Sequence, residues 1–200
     1  LNPFAFYWSE QHQSGDLNNL QMGFDFDWII GSNRLYGGVL IDEWAPYDTF
    51  EEDNRNWFAY QIGYSRNAKI LGKDFLFKIE YAKVEPEVYN HRFIINEAKH
   101  FGYNLGFWSG RNSDDIAISF SAILSQNTIF KLSYDYTRFP IDDYMQNLEN
   151  QYNDISVHFL DNGSNYREKI SILYSRLLIN TIFIDIEVGA INNEGLYNDL

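Results

Sequence analysis

Hydrophobic and polar residues exchange at every second position through long stretches of the chain. From Leu20 to Ile30, the residues Leu20, Met22, Phe24, Phe26, Trp28 and Ile30 fall on one side. Gln21, Gly23, Asp25 and Asp27 fall on the other, with Ile29 the one apolar residue out of phase. A period of two belongs to a half-buried strand, whereas helical spacing would scatter the acids around the axis. Gly31-Ser32-Asn33 carries turn chemistry, and Arg34 to Trp44 reads as the returning strand of a hairpin. The same period runs through Asn56 to Arg66, Asp74 to Val84, Asp115 to Ser125, Thr128 to Arg138 and Thr181 to Ile191, the last partnered by Tyr166 to Leu177. Two weaker segments, Glu87 to Ile95 and Phe101 to Trp108, bring the expected total to nine or ten strands.

Several of these runs extend about 10 or 11 residues, beyond the usual soluble strand of about 5 or 6. They match the roughly 9 to 11 residues with which a tilted strand crosses a bilayer. A soluble two-sheet sandwich also alternates, because its outer faces meet water, so alternation alone leaves both architectures open. The tryptophans favour the membrane. Trp28 and Trp44 end two paired strands, Trp57 opens one and Trp108 closes one, where amphipathic rings suit a headgroup boundary. The alternative is that such rings plug the ends of a soluble core. Connections are unequal: short turns follow Ile30 and Ser125, and longer polar links run from Ala45 to Asn54 and from Pro140 to Asn165. The short and long links do not alternate regularly on this reading, so it assigns no sidedness to individual loops.

Composition sharpens the picture. The 200 residues include 16 Phe, 15 Tyr and 5 Trp, yet the mean hydropathy is −0.38. A chain both aromatic-rich and polar is what strands with one aromatic and one polar face produce. No run approaches the roughly 18 to 20 apolar residues of a spanning helix. With no Cys there is no disulfide scaffold, Cys-ligated zinc or thiol catalysis. Acids outnumber bases 28 to 15, for a net charge of −13, which argues against nucleic acid as a partner. The chain starts at Leu1 without a signal peptide, and is read as a mature chain or a fragment forming one domain over residues 1–200.

Two groups of residues invite chemistry. Asp25 and Asp27 share a strand face, Asp42 and Glu43 lie near the end of the next strand, and Asp185 and Glu187 repeat the pattern. Residues i and i+2 stand about 7 Å apart, which suits a pair of glycosidase carboxylates. The plainer reading is a hydrated lumen lined by Asp25, Asp27, Lys78, Glu80, Lys131, Asp135, Asp185 and Glu187, beside Arg167 and Lys169. The second group is the stretch from Tyr89 to Asp115. His91, His100 and Asp114 suggest a metal or a triad, but no His-x3-His, Glu-x-x-His or Gly-x-Ser-x-Gly spacing supports either.

The same stretch holds Tyr89 and His91, then Gly102-Tyr103 and Gly106, then Gly110 to Asp115 opening a strand. In these short motifs the chain resembles the Wzi-like capsule assembly family of bacterial outer-membrane barrels. Those barrels have more strands than are counted here and a helical portion, so the resemblance implies a C-terminal part of one. The expected fold is thus all-β: an antiparallel up-and-down transmembrane barrel, or an incomplete part of a larger one. The resemblance implies a monomeric, non-enzymatic protein of the bacterial outer membrane without cofactor or metal. Its partners would be membrane lipid and capsular polysaccharide or exopolysaccharide, held as a lectin holds it. Sugar rings stack on Trp and Tyr while hydroxyls bond to Asp, Asn and Arg, which makes Trp44, Tyr103, Trp108, Arg111, Asn112, Asp114 and Asp115 the candidate ligands. Two other classes compete: a cation-preferring channel with an acidic lumen, and a soluble β-sandwich that binds or hydrolyses polysaccharide.

Overall fold

The period-two segments become one antiparallel meander. A computed structural model describes residues 21–43, 57–89, 99–100, 103–104, 106–141, 158–161, 163–179 and 182–194. Its strands are β1 (Met22–Ile30), β2 (Asn33–Glu43), β3 (Trp57–Ile70), β4 (Lys73–Val84), β5 (Lys99–His100), β6 (Tyr103–Asn104), β7 (Ser113–Ser125), β8 (Thr128–Pro140), β9 (Ser164–Ile179) and β10 (Ile182–Glu194). Eight of them form a single sheet in the order β1-β2-β3-β4-β7-β8-β9-β10, and β5 pairs only with β6. Among the described residues there is no helix.

Of the two expected forms, a closed barrel and an incomplete part of one, the described strands make an open sheet, and the strand count needs correction. The sheet does not close on itself, because the outer edges of β1 and β10 pair with no described strand. The described parts of the weaker segments also contribute no strand to it. Glu87 lies in a turn, where the Val88 N–H donates to the Glu85 carbonyl at 3.3 Å and Pro86 has no N–H to offer a ladder. Residues 90–95 lie outside the described residues. Of Phe101 to Trp108, only β6 is extended in the described part, and Trp108 sits in a turn.

The connections alternate strictly, which the sequence reading missed. Two residues each join β1 to β2, β3 to β4, β7 to β8 and β9 to β10, all at one end. Residues 44–56, 85–112 and 141–163 make the long connections at the other. Consequently β1 begins, and β10 ends, at the long-connection end. The β3–β4 turn is unusual: both Leu71 (φ 51°) and Gly72 (φ 75°) are left-handed, and Leu71 is 97% exposed. A two-residue hairpin of this kind favours Asn-Gly, and leucine there loses about 1 kcal/mol to its Cβ contacts. Leu71→Asn is therefore expected to stabilise the protein by about 1 kcal/mol, read as a raised denaturation midpoint.

Register sorts the side chains. On one face lie Phe24, Phe26 and Trp28 of β1, Phe58 to Tyr64 of β3, and Phe75 to Tyr81 of β4 at every second position. Ile116 to Phe120, Phe130 to Tyr136, Ile170 to Tyr174 and Ile184 to Ala190 continue it. This apolar face is open: Phe24, Trp28, Ile62, Phe120, Ile172 and Val188 are all exposed. Its area is on the order of 1,200 Å², from strand spacing and rise, against the roughly 300–600 Å² of the largest patch on a soluble monomer.

The apolar zone is a belt with charged margins. Along β4 it runs between Lys73 and Lys83, ten residues and about 33 Å of strand. Its upper edge descends across the sheet. On β1 to β3 it reaches Met22, Ile41 and Phe58, but on β9 and β10 it stops at Ile170 and Ala190, with Glu168 and Asn192 beyond. That is a fall of six residues, about 20 Å over about 34 Å of sheet, so the edge of the belt departs by roughly 30° from the perpendicular to the strands.

The aromatic margin is tyrosine, not tryptophan. Tyr60 and Tyr81 (ring centroids 6.3 Å apart) and Tyr136 and Tyr166 (6.0 Å) stand near the long-connection edge of the belt. Of the described strand-end tryptophans, Trp28 is on the apolar face. Trp57 has the parity of Ala59 and packs on the opposite side, Trp108 leaves the sheet, and Trp44 lies outside the described residues.

Candidate functional site

The polar face carries the residues read as a lumen lining. Asp25, Asp27, Lys78, Glu80, Lys131, Asp135, Asp185 and Glu187 all have the same parity and share this one face. A cross-strand network ties several together. Arg34 donates to both carboxylate oxygens of Asp27 at 2.8 to 3.1 Å, and its guanidinium lies 4.6 Å from the centre of the Tyr36 ring. The Tyr36 hydroxyl donates to Glu80 at 2.5 Å, and Lys78 pairs with Glu80 at 3.0 Å. To reach β4 from β2, the Tyr36 ring lies flat over Gly63 of β3, where a Cβ would sit 2.2 Å from the ring. Farther along, Ser133 and Ser171 share a hydrogen bond of 2.8 Å and Lys169 pairs with Glu187 at 3.5 Å.

At the long-connection end, chain folds back over this face. The Glu85 N–H continues the sheet by donating to the Phe58 carbonyl at 3.0 Å, and the chain then turns through buried Pro86 and Val88. Ala59, Val84 and Val88 form a small core, with Leu40, Trp57, Tyr89 and Phe107 packed against it. Asp42 accepts the Tyr89 N–H at 2.6 Å, holding that residue at φ 71°. The Phe107 N–H donates to the Tyr89 hydroxyl at 3.3 Å, and the Tyr89 ring lies so close to Gly106 that a Cβ there would be 2.3 Å away.

The next turn presents Trp108. Gly110, at φ 80°, donates its N–H to the Phe107 carbonyl at 2.9 Å, and Ser113 Oγ donates to the Gly110 carbonyl at 2.8 Å. Trp108 is thereby held outward, 56% exposed, with the Arg167 guanidinium of β9 at 5.1 Å from its ring. Arg167 stands in one row of the polar face with Thr137 and Asp115, which are joined by a hydrogen bond of 2.6 Å. The arrangement offers an exposed flat aromatic surface with a guanidinium beside it, while the Asp115 carboxylate in the same row is buried and held by Thr137. It has the elements that hold a polar ring: a stacking face and directional partners for hydroxyls.

The candidate ligands do not all gather there. Trp108 is presented at this spot and Arg111 is adjacent in the same loop, whereas Asp115 shares the row of Arg167 but is buried beneath it with Thr137. Asn112 is buried at φ 52°, with its side-chain oxygen accepting the Leu160 N–H at 2.9 Å, so it ties residues 158–161 to the loop. Asp114 points to the apolar face, where Arg138 binds it at 2.9 and 2.5 Å and the Tyr81 hydroxyl reaches it at 3.2 Å. Successive strand residues face opposite ways, so Asp114 and Asp115 cannot serve one ligand. Tyr103 is in β6 with its side chain outside the described residues, and Trp44, His91 and the acidic link 45–54 lie outside them too. His100 is in β5 and Glu43 ends β2, again without described side chains. Among the described residues no three His, Asp or Glu side chains converge on one point.

Arg167 is the residue that sequence reasoning undervalued, as one lumen cation among several. Its alternation phase gave its face, but only the fold-back of residues 106–112 brings Trp108 to it. No family model, no curated protein and no solved structure matches this chain.

Proposed function

We propose that the sheet is part of the wall of an outer-membrane β-barrel whose long-connection end binds surface polysaccharide without turning it over. The observation that carries the membrane half is the oblique apolar belt. Thirty-three ångströms of strand inclined by 30–40° project to about 25–29 Å, close to the roughly 25 Å apolar band of such barrels. Short turns on one side and long connections on the other belong to the same architecture. In hydrocarbon the free edges of β1 and β10 have to be paired, since each unpaired backbone group costs several kcal/mol. An even set of antiparallel strands leaves these edges running in opposite directions, able to join each other or intervening strands.

The polysaccharide half rests on the exposed Trp108 beside Arg167, together with the resemblance of residues 89–115 to Wzi-like capsule assembly proteins. The chain folded over the polar face at that end favours a binder over an open cation channel, and little conductance in planar bilayers is the corresponding expectation. A soluble sandwich would need a second layer on the apolar face, and the described residues supply none.

Retention of acidic capsular polysaccharide by the purified protein, in detergent or vesicles, tests the reading. Trp108→Ala and Arg167→Ala are each expected to weaken retention about tenfold, the worth of one stacking or charge-assisted contact. Wild-type protein that retains no polysaccharide, or variants that retain it equally well, would remove the binding role. Release of reducing sugar would point to hydrolysis instead.

A further inference from the structure

We propose that the short-turn rim of the apolar belt docks anionic phospholipid headgroups. The inference rests on the membrane reading above and adds which lipid that end of the sheet meets. On the apolar face, the described charges at the short-turn end are all positive: Arg66 on β3, Lys73 on β4 and Arg176 on β9. Every acid with a described side chain on that face, Glu85, Asp114, Glu168 and Glu194, stands toward the long-connection end. There Lys83 and Arg138 accompany them, each already engaged: Lys83 with Glu85 at 2.5 Å and Arg138 with Asp114.

The three rim cations are placed to reach outward. Arg66 and Arg176 are exposed and make no ion pair among the described residues. Lys73 spends one hydrogen on the Leu124 carbonyl at 2.5 Å, which fixes its stem at the belt edge and leaves two donors free. The neighbouring acids Asp27, Asp74 and Asp185 all lie on the opposite face, beyond neutralising range across the backbone layer. Long basic side chains at a belt edge lay their methylenes on the apolar zone and lift their heads to the phosphate level. The two-residue turns are too short to cover that level. A rim of uncompensated positive charge that reaches from β3 to β9, five of the eight strands, with no polar loop above it among the described residues, fits a leaflet containing phosphate monoanions.

Folding of the full chain into vesicles tests this. One set is phosphatidylcholine alone, and the other contains roughly 30 mol % phosphatidylglycerol at low ionic strength. Insertion into the anionic vesicles is expected to be at least about tenfold more favourable, and the preference is expected to collapse near 0.5 M salt, where screening shortens to roughly 4 Å. The triple substitution Arg66→Gln, Lys73→Gln and Arg176→Gln should abolish the preference while leaving insertion into phosphatidylcholine unchanged. The double variant Arg66→Gln/Arg176→Gln keeps the Lys73 bond to Leu124 and should lose most of it. Equal insertion into both vesicles, or a preference that survives in the variants, overturns the lipid assignment and leaves the membrane reading standing. Insertion into neither overturns both.

Discussion

Ile79→Arg is expected to destabilise the bilayer-inserted protein by about 2–4 kcal/mol, the depth-dependent cost of an arginine at the midplane of a lipid-facing strand. Ile79 lies near the middle of the span from Lys73 to Lys83 on β4, on the apolar face, in a row with Leu35, Tyr64, Ile118 and Tyr134. Ser119→Arg is the matched control. Ser119 stands opposite Lys78 at the same level, one step away in the ladder but on the polar face, so its cost should stay within about 1 kcal/mol. Unfolding titrations in vesicles give the difference directly. The comparison also discriminates between media. If water touched the apolar face, Ile79, already partly exposed, would accept arginine at a cost within about 0.5 kcal/mol, and the two substitutions would look alike. Equal costs would therefore end the barrel reading, whatever the polysaccharide experiments returned.

The strands were legible because their signal is local and long. A period of two sustained over Phe24, Phe26 and Trp28, or over Phe130, Leu132, Tyr134 and Tyr136, has no helical counterpart, and the observed strands start and stop within a few residues of the expected ones. What failed depended on the fold. The strict alternation of short and long links was hidden by Glu87–Ile95 and Phe101–Trp108, which, taken as strands, cut the 85–112 connection into pieces. Leu71-Gly72 hid a tight turn because leucine does not advertise a left-handed residue, although the φ of 51° requires one. The candidate site was half legible for a related reason. Trp108 stood out as an aromatic in a glycine-rich loop, but its partner Arg167 is 59 positions away and meets it only through the fold-back anchored by Asp42 and Gly106. Asp114 and Asp115 look like neighbouring loop ligands as long as alternation is followed only from Asp115, but β7 begins at Ser113. Once both are in the strand, parity sends them to opposite faces.

That misplaced aspartate is the basis of the second large effect. Arg138→Ala is expected to cost about 2–4 kcal/mol, whereas Asp114→Ala should cost about 1 kcal/mol. The asymmetry comes from burial. The Asp114 side chain is 7% exposed and the Arg138 side chain 43%. Removing Arg138 leaves a carboxylate at the belt edge bonded by the Tyr81 hydroxyl at 3.2 Å, with the cross-strand Lys83 already paired to Glu85. Removing Asp114 leaves a guanidinium that can swing toward the headgroup level and be solvated there. The double substitution Asp114→Ala/Arg138→Ala removes the stranded charge and should be less destabilising than Arg138→Ala alone, a coupling of about 1–3 kcal/mol in a double-mutant cycle. Unfolding titrations of the four proteins at neutral pH measure it. Additive costs would mean that water reaches Asp114 freely, which places the upper edge of the belt below the row of Tyr60, Lys83, Asp114, Arg138 and Tyr166 rather than at it.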